Sequence, residues 1–288
     1  MIVVTGATGH LGRIIVEKLA GLVPAAQVSA SVRDPAKAAK LKALGVRVRR
    51  GDFNDPDSLK YAFEGATQVL MVSSNARASG GDTVAQHRSA IAAARAVGVR
   101  RIVYTSHMAA SASSAFAPML DHRATEEMLQ QSGLAWTALR NGFYANTVAM
   151  MIGDAVSSGI LTAPADGKVS WTTHADLAAA AAAILLQEGR FEGPTPPLTA
   201  PDALDLGDVA AILADLHGRP VERQIIADEE QAAAMAQRGV SRSAIEITLG
   251  LYRAARAGEF AAVDPALAKL IGRKPMTLRE VLTAGRDA

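Results

Sequence analysis

Three glycines in the segment Thr5-Gly6-Ala7-Thr8-Gly9-His10-Leu11-Gly12 separate a short β-rich run from a helical repeat. The run is Ile2–Thr5, and Leu11, Ile14, Ile15, Leu19 and Leu22 recur at the spacing of one helix face. A strand that enters a helix through such a turn opens a βαβ unit, which commits the chain to a parallel sheet with crossover helices. Gly6 permits a tight turn. Gly9 lets the backbone approach a ligand with no side chain in the way, and Gly12 lets the helix pack close to the strand. The helix start then offers free N–H groups and partial positive charge, so the segment predicts a grip on a diphosphate.

The alternation continues. Apolar runs at Val28–Val32, Val46–Val48, Val69–Val72, Ile102–Thr105 and Ala135–Leu139 predict five more strands. Asp34-Pro35 and Asp55-Pro56 are helix starts, with a cap followed by proline in the first helical position, and Gly45 and Gly65 end those helices. Six strands alternating with helices predict an α/β fold, a Rossmann-like doubly wound parallel sheet. After Arg140 the pattern changes to a helix near Tyr144–Val156, a strand at Val169–Thr172, an alanine-rich helix over Asp176–Gln187 and a break at Gly193–Pro197. A helix at Leu206–Leu216, a strand at Val221–Ile226 and further helices follow, the last opened by the capping-box pattern Thr277–Glu280. This predicts residues 1–140 as a dinucleotide-binding domain, with 165–190 packing back on it, and 141–288 as a smaller, mostly helical C-terminal lobe that binds the substrate.

The end of the second strand indicates which dinucleotide fits. An NAD site carries an acidic residue about 20 residues beyond the glycine loop. Here the position is Arg33, and the nearest carboxylate, Asp34, is better used as a cap. A guanidinium suits a 2′-phosphate, so Arg33 favours NADPH. Asp52 and Phe53 follow the third strand, where an adenine would lie. Ser73 and Ser74 end the fourth strand and Ser106 the fifth, at the carboxyl edge of the sheet, and these join the expected cofactor set.

TGATGHLG, the GDFND turn, QHRSAIAAARAVGVRRIVYTS, DHRATEEMLQQSGLAWTALRNGFY and ALAKLIGR together resemble the NmrA-like group of atypical short-chain dehydrogenase/reductases. The resemblance runs over nearly the whole chain. It implies NADPH as cofactor, held by Gly6, Thr8, Gly9, His10, Leu11 and Arg33, with Ser73 and Ser74 flanking it and Asn141 facing the nicotinamide. It also implies an aromatic substrate between the two lobes. The tyrosine and lysine common in short-chain dehydrogenases are absent, since Pro118 and His122 occupy those places. Alcohol oxidation is therefore disfavoured, because no phenol is placed to exchange a proton with a hydroxyl.

A small electrophilic aromatic needs less help. Hydride addition to a triarylmethyl cation gives a neutral product, and addition to a quinone gives an anion that solvent can protonate. The expected function is an NADPH-dependent reductase of quinones or triphenylmethane dyes. His122 and Tyr144 are its candidate catalytic residues, and Phe143 and Tyr144 its substrate wall. Met150, Met151 and Trp171 are expected in the core. A non-catalytic NADP(H) sensor is the alternative, and an isomerase a weaker third.

Composition narrows the remaining classes. With 30 lysines and arginines against 28 aspartates and glutamates, the chain has a formal charge of +2, so nucleic-acid and membrane-surface partners are not expected. It has no cysteine, which removes disulfide, thiolate-metal and thiol chemistry. The six histidines show no ligand spacing, so no metal is expected; His107 could border the active site, and His87, His174 and His217 read as surface or capping residues. The longest apolar run, Leu177–Leu186, is short of the ~20 residues that cross a bilayer, and the start resembles no signal peptide, so the cytoplasm is expected. A homodimer is the commonest assembly for such a chain.

Overall fold

The computed structural model describes residues 1–286. Its strands are β1 (Ile2–Val4), β2 (Val28–Val32), β3 (Arg47–Arg50), β4 (Gln68–Met71), β5 (Arg101–His107), β6 (Ala135–Asn141), β7 (Phe143–Tyr144), β8 (Ile160–Pro164), β9 (Trp171–Thr172), β10 (Gly193–Pro194) and β11 (Glu222–Ile226). The helices are α1 (His10–Ala20), α2 (Ala39–Ala43), α3 (Pro56–Phe63), α4 (Thr83–Ala96), α5 (Pro118–Gln130), α6 (Asn146–Ile152), α7 (Ala155–Ser158), α8 (His174–Leu186), α9 (Leu206–His217), α10 (Asp228–Gln237), α11 (Arg242–Arg256), α12 (Ala266–Ile271) and α13 (Leu278–Arg286).

Seven strands form one parallel sheet in the order β10-β6-β5-β4-β1-β2-β3. The six expected strands are all in it. The seventh, β10, lies in the Gly193–Pro197 stretch read as a break. Proline is tolerated there because β10 is an edge strand, so its missing N–H costs no ladder bond on the outer side. Asp34 accepts from the Ala36 N–H and Asp55 from the Ser58 N–H, the capping roles their sequence context indicated. Thr277 and Glu280 exchange their capping-box hydrogen bonds.

Helices cover both faces. One face carries Leu11, Ile15 and Leu19 of α1, Leu41 of α2, Leu177 and Ile184 of α8 and Leu267 of α12. The other carries Leu59 and Phe63 of α3, Ala90 and Ile91 of α4 and Leu129 of α5. Each fully buried leucine or phenylalanine of this kind contributes roughly 1.5–3 kcal/mol. The alanine run of α8, with Ala178, Ala180, Ala181 and Ala182 all buried, has little side-chain bulk to hold neighbouring elements away.

Beyond β6 the chain builds a separate cluster around Phe143, Trp171, Leu206, Leu251, Tyr252 and Phe260. The helix expected over Tyr144–Val156 starts only at Asn146, because Phe143 and Tyr144 pair with Trp171 and Thr172 as the two-stranded β7–β9 sheet. It breaks at Gly153, whose φ of +47° leaves the helical range. The expected strand from Val169 is reduced to β9, with Val169 bridging to Leu204. β8 was not foreseen; it pairs in parallel with β11.

Candidate active site

At the carboxyl edge of the sheet, Gly6 takes φ +57° and accepts the Gly9 N–H at 2.9 Å. A Cβ on Gly12 would lie 2.5 Å from the Gly6 carbonyl oxygen, so only glycine fits that crossing of turn and helix. No side chain caps α1, and its first backbone bond runs from the Arg13 N–H to Gly9. The Ala7 and Gly9 N–H groups are used inside the protein, but those of Thr8, His10 and Leu11 have no acceptor among the described residues and are left to an incoming anion. Thr8, Gly9 and His10 are exposed around this opening, and Leu11 turns into the core.

Arg33 is exposed past the end of β2 and makes no ion pair or hydrogen bond with any described residue. Asp52 accepts the Asn54 N–H at 2.9 Å, which fixes the turn after β3, and Phe53 is half-buried 6.2 Å from the His87 ring. The rim formed by Ser73 and Ser74 is fastened by three successive backbone donors. Val72 donates to Thr5 Oγ1 (2.9 Å), Ser73 to Thr105 Oγ1 (2.8 Å) and Ser74 to His87 Nε2 (2.9 Å). Because Nε2 of His87 accepts, its proton sits on Nδ1 and is donated to Thr125 Oγ1 at 2.8 Å. Burial drives His87 down to about 3 and keeps it neutral. His87 is therefore no surface residue: it is fully buried and braces the rim.

β5 and β6 end side by side, with His107 opposite Asn141. Asn141 is 1% exposed and its Oδ1 has no partner, an unmet acceptor at the strand end. Gly142 joins β6 to β7, and a Cβ there would collide with Thr172 Oγ1. Tyr144 is half-buried, and its ring lies 4.3 Å from that of His174, which in turn meets His10 edge-on at 4.6 Å. The Tyr144 phenol is pushed up by burial, partly offset by the Asn141 side chain. His174 bonds Asn146 Oδ1 through Nδ1 at 3.0 Å, and burial takes it down to about 4.

Two expected site residues are placed differently. Phe143 is 8% exposed and enclosed by His107, Phe116, Trp171 and Phe260 with ring centroids 5.0–5.8 Å away, so it is a core residue behind Tyr144. Ser106 is 2% exposed and donates to the buried Glu126 Oε1 at 2.7 Å, beside the ion pair of Glu126 with the partly exposed Arg140, and so is committed to the protein interior. The reverse holds for Met150, expected in the core but 78% exposed. With Met151, Met235, Leu251 and Tyr252 it lines a cleft of about 740 Å³ between α6, β8, β11, α10 and α11.

His122, partly exposed on α5, bonds the Tyr104 hydroxyl through Nδ1 at 2.7 Å. Burial lowers His122 to about 4, with Asp121 pulling the other way. Tyr104, Thr105, His87 and His174 escaped the sequence reading. Tyr104 and Thr105 sit inside an apolar strand, and nothing in spacing shows which strand residues reach the edge. His87 and His174 act through partners distant in sequence.

A family model for the NmrA-like family matches residues 1–280. The chain belongs to the NmrA-like family. Among relatives of this NmrA-like protein, quinone oxidoreductase 2 of Escherichia coli is 37% identical over 281 residues, covering 97% of this chain and 96% of that one. An NAD(P)H azoreductase of Xenophilus azovorans is 32% identical, covering 99% and 97%. Among solved structures, the E. coli NADPH-dependent quinone oxidoreductase complexed with NADPH superposes with a TM-score of 0.92 at 36% identity, covering 99% of this chain and all of that one. The Citrobacter sp. triphenylmethane reductase complexed with NADP(H) gives 0.89 at 34%, covering 99% of each chain.

Proposed function

We propose that this NmrA-like protein is an NADPH-dependent reductase that passes a hydride to quinones, triphenylmethane dyes or related electrophilic aromatics. The observation that carries the reading is the pairing of an uncapped glycine turn with an unpartnered Arg33 at the end of the next strand. Two more features fit a dinucleotide. Gly12 has no room for a Cβ, and Asn141 holds a buried, unmet acceptor at the edge where a carboxamide would lie. The family relatives named for quinone, azo and triphenylmethane reduction support the acceptor class.

Bound NADPH supplies a hydride, and the protein's own residues position and shield. Thr8, His10 and Leu11 would hold the pyrophosphate through their open backbone N–H groups, with Gly6 and Gly9 shaping the turn that lets it approach, and Arg33 would take the 2′-phosphate. Asp52 and Phe53 flank the adenine. Ser73 and Ser74 line the ribose side, held in place by Thr5, Thr105 and His87. Asn141 faces the nicotinamide. Tyr144 is the aromatic wall for the acceptor, with Phe143 supporting it from the core, and the methionine-lined cleft beside α6 receives the rest of a bulky dye. Catalysis rests mainly on holding donor and acceptor face to face at near-attack distance. In this reading residues 1–140, with 165–190 packed back on them, are the cofactor-binding domain, and 141–288 the substrate lobe of a cytoplasmic enzyme.

The test is NADPH oxidation against a benzoquinone, a naphthoquinone and malachite green. Acceleration above the uncatalysed rate is expected for at least one acceptor. Tight NADPH binding without turnover of any of them would replace the enzyme with a nucleotide sensor.

A further inference from the structure

We infer that Tyr104 is a positioning residue that holds His122 as its Nε2–H tautomer, making His122 the hydrogen-bond donor to the quinone oxygen that becomes anionic on reduction. The inference rests on the quinone and dye reductase reading above. Tyr104 is fully buried on β5, and its hydroxyl lies 2.7 Å from His122 Nδ1 and 3.4 Å from Ser73 Oγ; it also meets the Thr125 hydroxyl, which already bonds His87 Nδ1 and the Asp121 carbonyl. A phenol has one proton to give. The short contact to the imidazole lone pair is the better bond, because imidazole nitrogen is the stronger acceptor and the serine is at the edge of bonding distance.

The reverse arrangement would send a proton from Nδ1 to the phenol and leave the phenol only the 3.4 Å bond to Ser73 or a share of the Thr125 oxygen, which already accepts from His87. It would also leave Nε2 as a lone pair, which would repel an anionic oxygen. Burial keeps the phenol protonated and the imidazole neutral near pH 7, so Tyr104 remains a donor and His122 carries one ring proton. With Nδ1 occupied, that proton is on Nε2. Nε2 has no partner among the described residues, and the side chain is partly exposed.

The two acceptor classes need this donor unequally. Hydride addition to a quinone places two electrons and one proton on it, and a carbonyl oxygen becomes a phenolate. A hydrogen bond from Nε2–H stabilises that developing charge without giving up its proton, and water supplies the second proton of the hydroquinone. Hydride addition to a triarylmethyl cation forms one C–H bond and cancels a positive charge, so no oxygen becomes anionic. Tyr104 and His122 thus favour the quinone over the dye.

The experiment compares wild type, Y104F and H122F with NADPH and either a naphthoquinone or malachite green. The expected result is a fall of about tenfold or more in the ratio of quinone kcat to dye kcat in both variants, the size of effect of removing one oxyanion donor at a partly wet site. An unchanged ratio overturns the inference, including the case where both acceptors slow together as they would after a general loss of structure. Histidine ¹⁵N NMR of the ligand-free wild type, with H122F identifying the signal, gives an independent readout. The expected pattern is a protonated Nε2 and a bare Nδ1 for His122, and the opposite pattern overturns it. Wild type that reduces neither acceptor sinks the functional reading instead, and the NMR still decides the role of Tyr104.

Discussion

Replacing Arg33 with alanine should weaken NADPH binding and leave NADH binding almost untouched. In the free protein Arg33 has no ion pair or hydrogen bond to lose, so the folded chain should change by less than about 0.5 kcal/mol. The cost appears only when a 2′-phosphate arrives. Opposite unit charges 4 Å apart are worth about 1 kcal/mol in water and about 4 at an effective dielectric of 20, and an exposed guanidinium lies between these limits. A charge-assisted hydrogen bond gives a matching 1.5–3 kcal/mol, so the NADPH Kd should rise roughly 10- to 150-fold. Calorimetric titration of both variants with NADPH and NADH, with a thermal melt as control, measures this. Equal weakening of the two nucleotides, or no change in either, would refute the assignment of Arg33 to the 2′-phosphate.

Other perturbations have equally definite outcomes. Gly12→Ala pushes a methyl to 2.5 Å from the Gly6 carbonyl oxygen; it should cost about 1–3 kcal/mol in urea unfolding and weaken NADPH and NADH alike. Asp176 is fully buried and accepts from Arg273 and from the Met276 N–H, joining α8 to the segment before α13; Arg273 is half exposed and stays hydrated when its partner goes, so Asp176→Ala should cost about 1–3 kcal/mol, and a loss below about 0.5 would contradict that role. Folding holds His87 at about 3 and His122 and His174 at about 4, all below the unfolded value of about 6.5. The unfolded chain therefore binds more protons in that interval, and the stability is complete above about pH 6.5 and falls as pH drops toward 4. Each histidine should contribute up to about 2 kcal/mol of loss at pH 5, and a urea midpoint equal at pH 7 and pH 5 would contradict the buried, neutral assignment.

The parts of this molecule that local chemistry dictates were legible in the sequence. The Gly6–Gly12 turn, the Asp34 and Asp55 caps and six of the seven sheet strands each depend on residues within a few positions of one another. What escaped depends on distant partners. β10 is two residues long and is a strand only because β6 lies beside it. His87 reads as polar surface until Ser74 and Thr125 are seen on its two nitrogens. Phe143 and Tyr144 are adjacent, yet pairing with Trp171 and Thr172 sends one into the core and leaves the other half-exposed. In β7 alternation decides the roles, and the sequence shows alternation only once the strand is known. The Tyr104–His122 bond joins residues on two elements and left no trace in spacing.

Single-turnover mixing of the protein with a naphthoquinone and NADPH deuterated at one face of nicotinamide C4 tests hydride delivery directly. The expected result is a protein-dependent, saturable loss of reduced-nicotinamide absorbance that slows with deuterium on one face and not the other, with the label recovered in the hydroquinone or solvent. Loss of absorbance at the uncatalysed rate, by protein shown to hold NADPH, would contradict it.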